Sequence, residues 1–439
     1  MTRTHTTPRR TSLALLALGL VAGLASPALA ETWVLFPGDS LSDAIDRAED
    51  GDTIALKAGV WDEELDLNNR WITIAGGGKS PNESVILCGG HQHHIRANWD
   101  TETKVKFENL TFMNDDPESN CSIQLRHPNG STAFTNCHFI GLVNAQESRW
   151  NCVARGPIWI RSGHLMFTGC EFVGNSVEAR SELYAAALGG VIFSEFSDLV
   201  IRDSTFIGNE ARARLTGDRI DARNTVQGGA IYAYRTNTVI TGSTFRANRA
   251  ANFGAQPMNS KAQGGAVNVD NWEQTHFGGS WYNNTRLEGN TFEANSVEWE
   301  TSIDSRYSNC NGGAVWVFGS GGWGRSHVLG NNDYIGNTSD QESGALHAHG
   351  AIEVVESRFD CNLPNHLGGD EYQALDNQFL ECPPPCPADL DGNGTVDFND
   401  YMLLVQSWGP AEGSPADLNE DGLVNYEDMI LLFDAWGGC

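Results

Sequence analysis

The chain is predicted to be a mainly-β solenoid followed by a small α-helical module built on two cation-binding loops. Three observations carry this. An aromatic-x-x-Asn signature recurs through the middle of the chain, a Gly-Gly-small-apolar signature alternates with it, and two twelve-residue loops rich in Asp and Asn repeat near the C-terminus.

Residues 1–30 carry Arg3, Arg9 and Arg10, an apolar run from Leu13 to Leu24, and the small-x-small site Ala28-Leu29-Ala30. That is the pattern of an export signal cleaved near Ala30, so the chain is expected to be secreted or held at the cell surface, starting at Glu31. The run is too short to cross a bilayer and no later stretch approaches about 20 apolar residues, so no membrane insertion is expected. A formal net charge of −28 disfavours nucleic acid and anionic membranes as partners. Ten cysteines behind an export signal can form disulfides but are too few to be the framework of so long a chain.

The solenoid is assigned to residues 31–380. Its first segment, from Pro37 to Leu56, reads as a helix capping the first coil and then a strand, before the turn from Ala58 to Trp61. The aromatic signature then appears at Phe172/Asn175, Phe206/Asn209, Phe245/Asn248, Phe292/Asn295, Tyr334/Asn337 and Phe359/Asn362, with weaker copies at Phe112 and Phe139. Successive aromatics lie 25 to 47 residues apart, which is a few short strands plus a loop of variable length. Flanking segments such as Leu199 to Phe206 and Thr238 to Phe245 alternate with period two, as half-buried strands do. Stacked Phe fills the interior, Asn bonds the backbone of its bend and its Asn neighbours, and Gly supplies turns that a Cβ would obstruct. These residues are therefore assigned to architecture. Cys137 and Cys170 stand at equivalent places in two successive coils, where later coils carry Ser or Asn, and make either a buried thiol stack or an inter-coil disulfide. Cys386 and Cys439, which bracket the C-terminal module, are read as a clasp, and Cys361 is expected to pair with Cys382; Cys88, Cys121, Cys137, Cys152, Cys170 and Cys310 allow several connectivities.

These repeats resemble right-handed parallel β-helix proteins, the pectin-lyase-like superfamily, and are also similar to the repeats of polymorphic outer-membrane adhesins. The first resemblance implies a single-stranded parallel β-helix whose outer sheet face is a groove.

Alternation after each Gly-Gly assigns the groove residues. If Ile192, Ile231, Val267, Val315 and Leu346 face the core, then Phe193, Tyr232, Asn268, Trp316 and His347 face solvent in one column. Glu195, Tyr234, Asp270, Phe318 and His349 form the next column. Extending upstream adds Gln124 and Trp159 to the first and Arg126 and Arg161 to the second. Exposed aromatics among charges suit sugar rings and their hydroxyls, so Trp159, Tyr232, Trp316, Arg126, Arg161 and His349 are candidate substrate-binding residues. Glu195 and Asp270, two coils apart at roughly 9 to 10 Å, are candidate catalytic carboxylates of an inverting glycosidase. A lyase would instead need a base and a cation to neutralise a uronate carboxylate, roles that Arg or Lys and calcium can fill, with Arg126, Arg161, His347 and His349 as candidates. His91-Gln92-His93-His94 is read as a solvent-exposed loop rather than a metal site.

A Pro-rich linker at 381–387 leads to the module at 388–439. Calcium takes oxygen ligands from loop positions 1, 3, 5, 7, 9 and 12 with glycine at 6. In the first loop these are Asp389, Asp391, Asn393, Thr395 (carbonyl), Asp397 and Asp400, with Gly394. In the second they are Asp417, Asn419, Asp421, Leu423 (carbonyl), Asn425 and Asp428, with Gly422. Two Ca2+ ions are expected. The duplicated loop-helix unit, with Asp rather than Glu at position 12, resembles a type I dockerin. That resemblance implies attachment to a cohesin-like protein partner, although its selecting positions hold Phe398-Asn399 and Tyr426-Glu427 rather than small hydroxyl pairs.

The combined reading is a secreted protein that binds or degrades polysaccharide, as a hydrolase or lyase, and is tethered by a calcium-dependent module. The alternative is a non-catalytic glycan-binding or adhesin-like surface protein.

Overall fold

The structure is a computed structural model. It describes residues 30–438 apart from 89–92, 98–101, 117, 127–129, 218–221, 255–259, 272–282, 300–308, 320–325, 381–386, 392–394, 411–413 and 420. Residues 1–29 of the export signal, linker residues 381–386 with Cys382 and Cys386, His91 with Gln92, Asn393 with Gly394, and Cys439 lie outside the described residues. Chain contacts divide the protein into a unit ending at Phe379 and a unit from Leu380 to Cys439.

The first unit is a stack of coils whose strands pair in parallel with the equivalent strands one coil on. One coil illustrates the path. Strand Ile192–Arg202 bends at Phe196, passes a corner to Thr205–Ile207, then runs through Glu210–Leu215 and Arg223–Gln227 before Ile231–Tyr234 opens the next coil. Stacking yields parallel sheets of 18, 11, 6 and 5 strands among the described residues.

Each corner is a stacked row of left-handed residues. Gly189, Gly228, Gly264 and Gly312 enter the longest sheet at φ 70°, 72°, 68° and 71°, where a Cβ is strained. The following glycine is required by close approach, since a Cβ on Gly190 would sit 1.8 Å from the carbonyl oxygen of Gly229. Ser343 takes the first position at φ 53° in the degenerate last copy.

The interior follows the repeats. Phe112, Phe139, Phe172, Phe206, Phe245, Phe292, Tyr334 and Phe359 stack with centroids 4.2 to 5.2 Å apart. Beside them Asn175, Asn209, Asn248, Asn295, Asn337 and Asn362 form a buried ladder in which each side-chain amide donates to the next carbonyl oxygen at 2.8 to 2.9 Å. A second ladder holds the corner before the Phe strand. Ser204 Oγ accepts from the Cys170 amide, Ser243 Oγ from Ser204, and Asn290 Oδ1 from Ser243. Cys137 and Cys170 continue this row as buried free thiols. Cys88 pairs with Cys121, and Cys361 is also disulfide-bonded. The N-terminal cap is helix Leu41–Arg47, with Leu41, Ala44 and Ile45 buried and Ser40 Oγ accepting from the Asp43 amide. Trp61 lies in strand Gly59–Asp62 rather than in a turn.

Between each Asn and the next Gly-Gly the described residues include two strands, such as Arg249–Phe253 and Lys261–Gln263. The 6- and 5-stranded sheets pack on one another through a second, alanine-rich core that includes Ala179, Ala187, Ala211, Ala213, Val226 and Ala262. This corrects the expectation for the inner groove column. Phe193, Tyr232, Asn268, Trp316 and His347 are 4 %, 5 %, 0 %, 7 % and 3 % exposed, because the outer side of the 5-stranded sheet lies against them. Arg155 of that sheet crosses Trp159 and Phe193, and the Asn268 amide donates to the Gln263 carbonyl at 3.3 Å. His94 is likewise buried, not solvent-exposed, against the Cys121 sulfur at 3.0 Å and edge-on to Phe112.

The second unit holds helices Phe398–Gln406 and Tyr426–Asp434, each N-capped by a capping box, from Asp397 and Asn425. Thr395–Val396 of the first loop pairs with Gly437–Gly438, and Leu423–Val424 of the second pairs with Gly409–Pro410. Each loop is thus closed by the residues that follow the other loop's helix.

Candidate functional site

The outer column is one unbroken row. Arg161, Glu195, Tyr234, Asp270, Phe318, His349 and Asp370 are Cα partners in successive coils. Arg161, Glu195, Tyr234, His349 and Asp370 each stand immediately before a left-handed residue that bends the longest sheet, namely Ser162, Phe196, Arg235, Gly350 and Glu371. From Arg161 to His349 the row is half-buried, with Asp370 exposed at its end. Its inner edge is walled by the buried column and the 5-stranded sheet. Arg126 follows strand Ser122–Leu125, whose Gln124 pairs with Trp159.

The row has a basic end, a carboxylate-phenol centre and an imidazole end. At the basic end Arg126 and Arg155 lie 4.1 and 4.7 Å from the Trp159 ring centroid, and Arg161 Nε is 3.7 Å from Glu195 Oε2. Trp159 therefore carries guanidiniums on its ring. Burial and then the charges of Arg155 and Arg161 push the Arg126 guanidinium below its usual range, against Glu195. Glu195 Oε2, Arg126 Nε, Arg155 Nε and Trp159 Nε1 are enclosed without a hydrogen-bond partner among the described residues, a set of polar atoms suited to a hydroxylated or anionic ligand.

At the centre, Tyr234 is flanked on the two neighbouring coils by Glu195 and Asp270. Burial pushes the Tyr234 phenol up, against Arg235, and the charges of Asp270 and Glu195 push it further. One strand spacing separates Tyr234 from each neighbour, so the backbone positions of Glu195 and Asp270 stand about 9 to 10 Å apart. At the far end Ser343 Oγ is 2.9 Å from His347 Nδ1, His347 Nε2 is 2.9 Å from His349 Nε2, and His349 Nδ1 donates to Asp370. Burial and then His349 push the His347 imidazole down to about 4, with Asp370 opposing.

The structure thus brings Arg126, Trp159, Arg161 and Glu195 together at one end, Glu195 and Asp270 about Tyr234, and His349 beside Trp316 at the other end. Tyr232 and Trp316 lie beneath the row rather than in it. Sequence reasoning missed Arg155, which precedes the Gly-Gly position where only following residues were sought. It also missed Asp370, whose signal is the further coil Leu367-Gly368-Gly369-Asp370. Two other clefts, of about 480 and 290 Å3, lie on the second half of the long sheet, around Val239 and Arg286 and around Lys106 and Met166. The row differs from both clefts in gathering carboxylates, a phenol and imidazoles on one face.

In the C-terminal module Asp389, Asp391 and Asp400 bring carboxylate oxygens within 4.8 Å of one another. Asp400 is buried and accepts from the Leu390, Asp391 and Asp397 amides. Burial raises its carboxyl, but these amides more than offset that and hold it below the usual carboxylate range. Asp428 repeats the arrangement with the Leu418, Asn419 and Asn425 amides. Three converging carboxylates fit a hard divalent cation, which removes their mutual repulsion.

Residues 203–234 match the repeat of the Chlamydia polymorphic membrane proteins. No curated protein matches the chain. Similar solved structures include the A-module of the mannuronan C-5 epimerase AlgE4 of Azotobacter vinelandii, at 13 % identity and a TM-score of 0.31 over 78 % of this chain and 90 % of that one. The pectin methylesterase PemA from Erwinia chrysanthemi is similar at 10 % identity and 0.29, over 79 % and 94 %. The catalytic domain of a GH87 alpha-1,3-glucanase follows at 11 % and 0.28, over 83 % and 68 %. The assignment of the fold rests on the parallel, coil-by-coil pairing of the strands themselves.

Proposed function

We propose that the chain is a secreted, polysaccharide-active protein that lays a glycan along the row from Arg161 to His349. The observation that carries this reading is the register Glu195–Tyr234–Asp270 on consecutive coils of one half-buried face. Carboxylates carried on strands about 9 to 10 Å apart lie at the wide end of the range for inverting hydrolysis, in which one protonates the leaving oxygen and the other activates water on the opposite side of the ring. Phe318 supplies an apolar sugar platform, and Arg126, Arg155 and Arg161 favour a glycan carrying carboxylate or sulfate at that end. Polysaccharides assayed for reducing ends and for unsaturated uronide absorbance test the reading. Reducing ends without that absorbance support hydrolysis; both together move the mechanism to a lyase.

A second reading, a non-catalytic glycan platform, is favoured by the adhesin-type repeat at residues 203–234. Binding with neither product would support it.

The C-terminal module is proposed to hold two Ca2+ ions, at Asp389, Asp391, Asn393, Thr395, Asp397 and Asp400 and at Asp417, Asn419, Asp421, Leu423, Asn425 and Asp428. Calcium would neutralise the converging carboxylates and fix the loops against the helices. A dockerin-like role is supported by the apolar side chains it leaves exposed in duplicate, Phe398 with Tyr426 and Trp408 with Trp436. A cohesin-type partner is the proposed occupant, tested by calcium-dependent binding to purified cohesin domains.

A further inference from the structure

We propose that His347 and His349 form a seat for a divalent ion of the copper or nickel class in the wall of the groove. Their Nε2 atoms are 2.9 Å apart and their ring centroids 4.7 Å apart, with the ring planes at 64°. Two imidazoles joined head-on by one N–H···N bond of that length would hold their centroids about 5.2 Å apart. The rings are therefore tilted off the line between the nitrogens. Two histidine nitrogens about 2.0 Å from one ion and at a right angle lie about 2.9 Å apart, with centroids about 4.5 Å apart. At the tetrahedral angle the nitrogens would be about 3.3 Å apart. The observed pair of distances fits the right-angle geometry of tetragonal Cu(II) or Ni(II) rather than tetrahedral zinc.

The opposite nitrogen of each ring supplies the independent observation. His347 Nδ1 is 2.9 Å from Ser343 Oγ, and His349 Nδ1 donates to Asp370. Metal-binding histidines are oriented in this way, with the non-coordinating N–H fixed by a carboxylate or similar acceptor. The two residues share one face of strand Leu346–Val355 because side chains alternate along it. Trp316 and Phe318 of the preceding coil flank His349, at 6.2 and 6.1 Å. His347 is buried and His349 half-buried at the groove surface, so an ion would be reached from the groove and keep coordination positions for water or glycan hydroxyls. The seat stands whether or not the groove cleaves a glycan.

Copper(II) sulfate titrated into the full-length protein in excess calcium, followed by electron paramagnetic resonance, tests the proposal. One tetragonal site with splitting from two imidazole nitrogens is expected at stoichiometric ion. His349→Ala is expected to abolish it. Asp370→Asn changes an exposed side chain and is expected to weaken copper binding 10- to 100-fold while retaining the fold. A wild-type spectrum showing only oxygen ligands would overturn the proposal. So would a two-nitrogen signal that persists in His349→Ala, or one that disappears with His93→Ala instead. If His349→Ala does not fold, the wild-type spectrum and the Asp370→Asn titration decide.

Discussion

Asn248 donates its side-chain amide to Asn295 Oδ1 at 2.9 Å across a coil, while its own Oδ1 accepts from the backbone and side chain of Asn209 at 3.1 and 2.8 Å. A buried residue that satisfies both neighbours cannot be removed alone. Asn248→Ala strands donors on Asn209 and the Phe206 carbonyl, at about 1–3 kcal/mol for each group left unsatisfied. A loss of at least about 3 kcal/mol is expected by denaturant titration.

Glu195→Gln and Asp270→Asn preserve shape and remove charge. If the pair performs acid-base chemistry, each should lower turnover by about 10²–10⁴-fold while oligosaccharide binding persists. Kinetics on the active substrate, with isothermal titration of its oligosaccharide, checks this; unchanged turnover would move the chemistry elsewhere in the groove.

Tyr232→Ala and Trp316→Ala should act through stability rather than binding. Both side chains are buried, so about 3–5 kcal/mol is expected from the lost packing. Phe318→Ala, at the half-buried row, should instead weaken glycan binding with a smaller change in melting temperature. The opposite ranking would show that the inner column opens.

Asp389→Ala and Asp417→Ala are each expected to lower calcium stoichiometry by about one, since position 1 anchors its loop. Calorimetry should show two transitions, one of them sensitive to chelator. A single calcium-blind transition would reject the assignment.

On the 6-stranded sheet Glu178 lies 2.8 Å from Arg180 and 3.9 Å from Arg214, and Glu210 of the next coil pairs with Arg212 and Arg249, an ion-pair ladder that Glu178 puts to a pH test. Burial raises its carboxyl, but Arg180 first and then Arg212 and Arg214 bring it below the usual glutamate range. The unfolded chain therefore takes up this proton at a higher pH than the folded one. The contribution, roughly 1 kcal/mol for such a partly exposed network, is present above the unfolded value near pH 4.5 and is lost as pH falls through the lower folded value. Glu178→Gln should lower stability at pH 7 and flatten its decline below pH 4.5; an unchanged profile would assign the ladder no net energy.

The sequence by itself determined the coil. Period-two alternation, with Phe, Asn and Gly-Gly at recurring places, set strand, corner and register, because each residue answers a local demand: filling, backbone bonding or left-handed φ. The row Arg161, Glu195, Tyr234, Asp270, Phe318 and His349 was legible for the same reason. Only the tertiary structure decided which outward column is open. Alternation gives the direction a side chain leaves its strand, not what packs over it, and Phe193, Tyr232 and Trp316 are buried by strands that fold back from variable segments carrying no repeat. The same long-range packing brought Arg155 onto Trp159, paired Cys88 with Cys121, and set Asp370 behind His349, because each contact joins different coils or sheets and no local spacing encodes it.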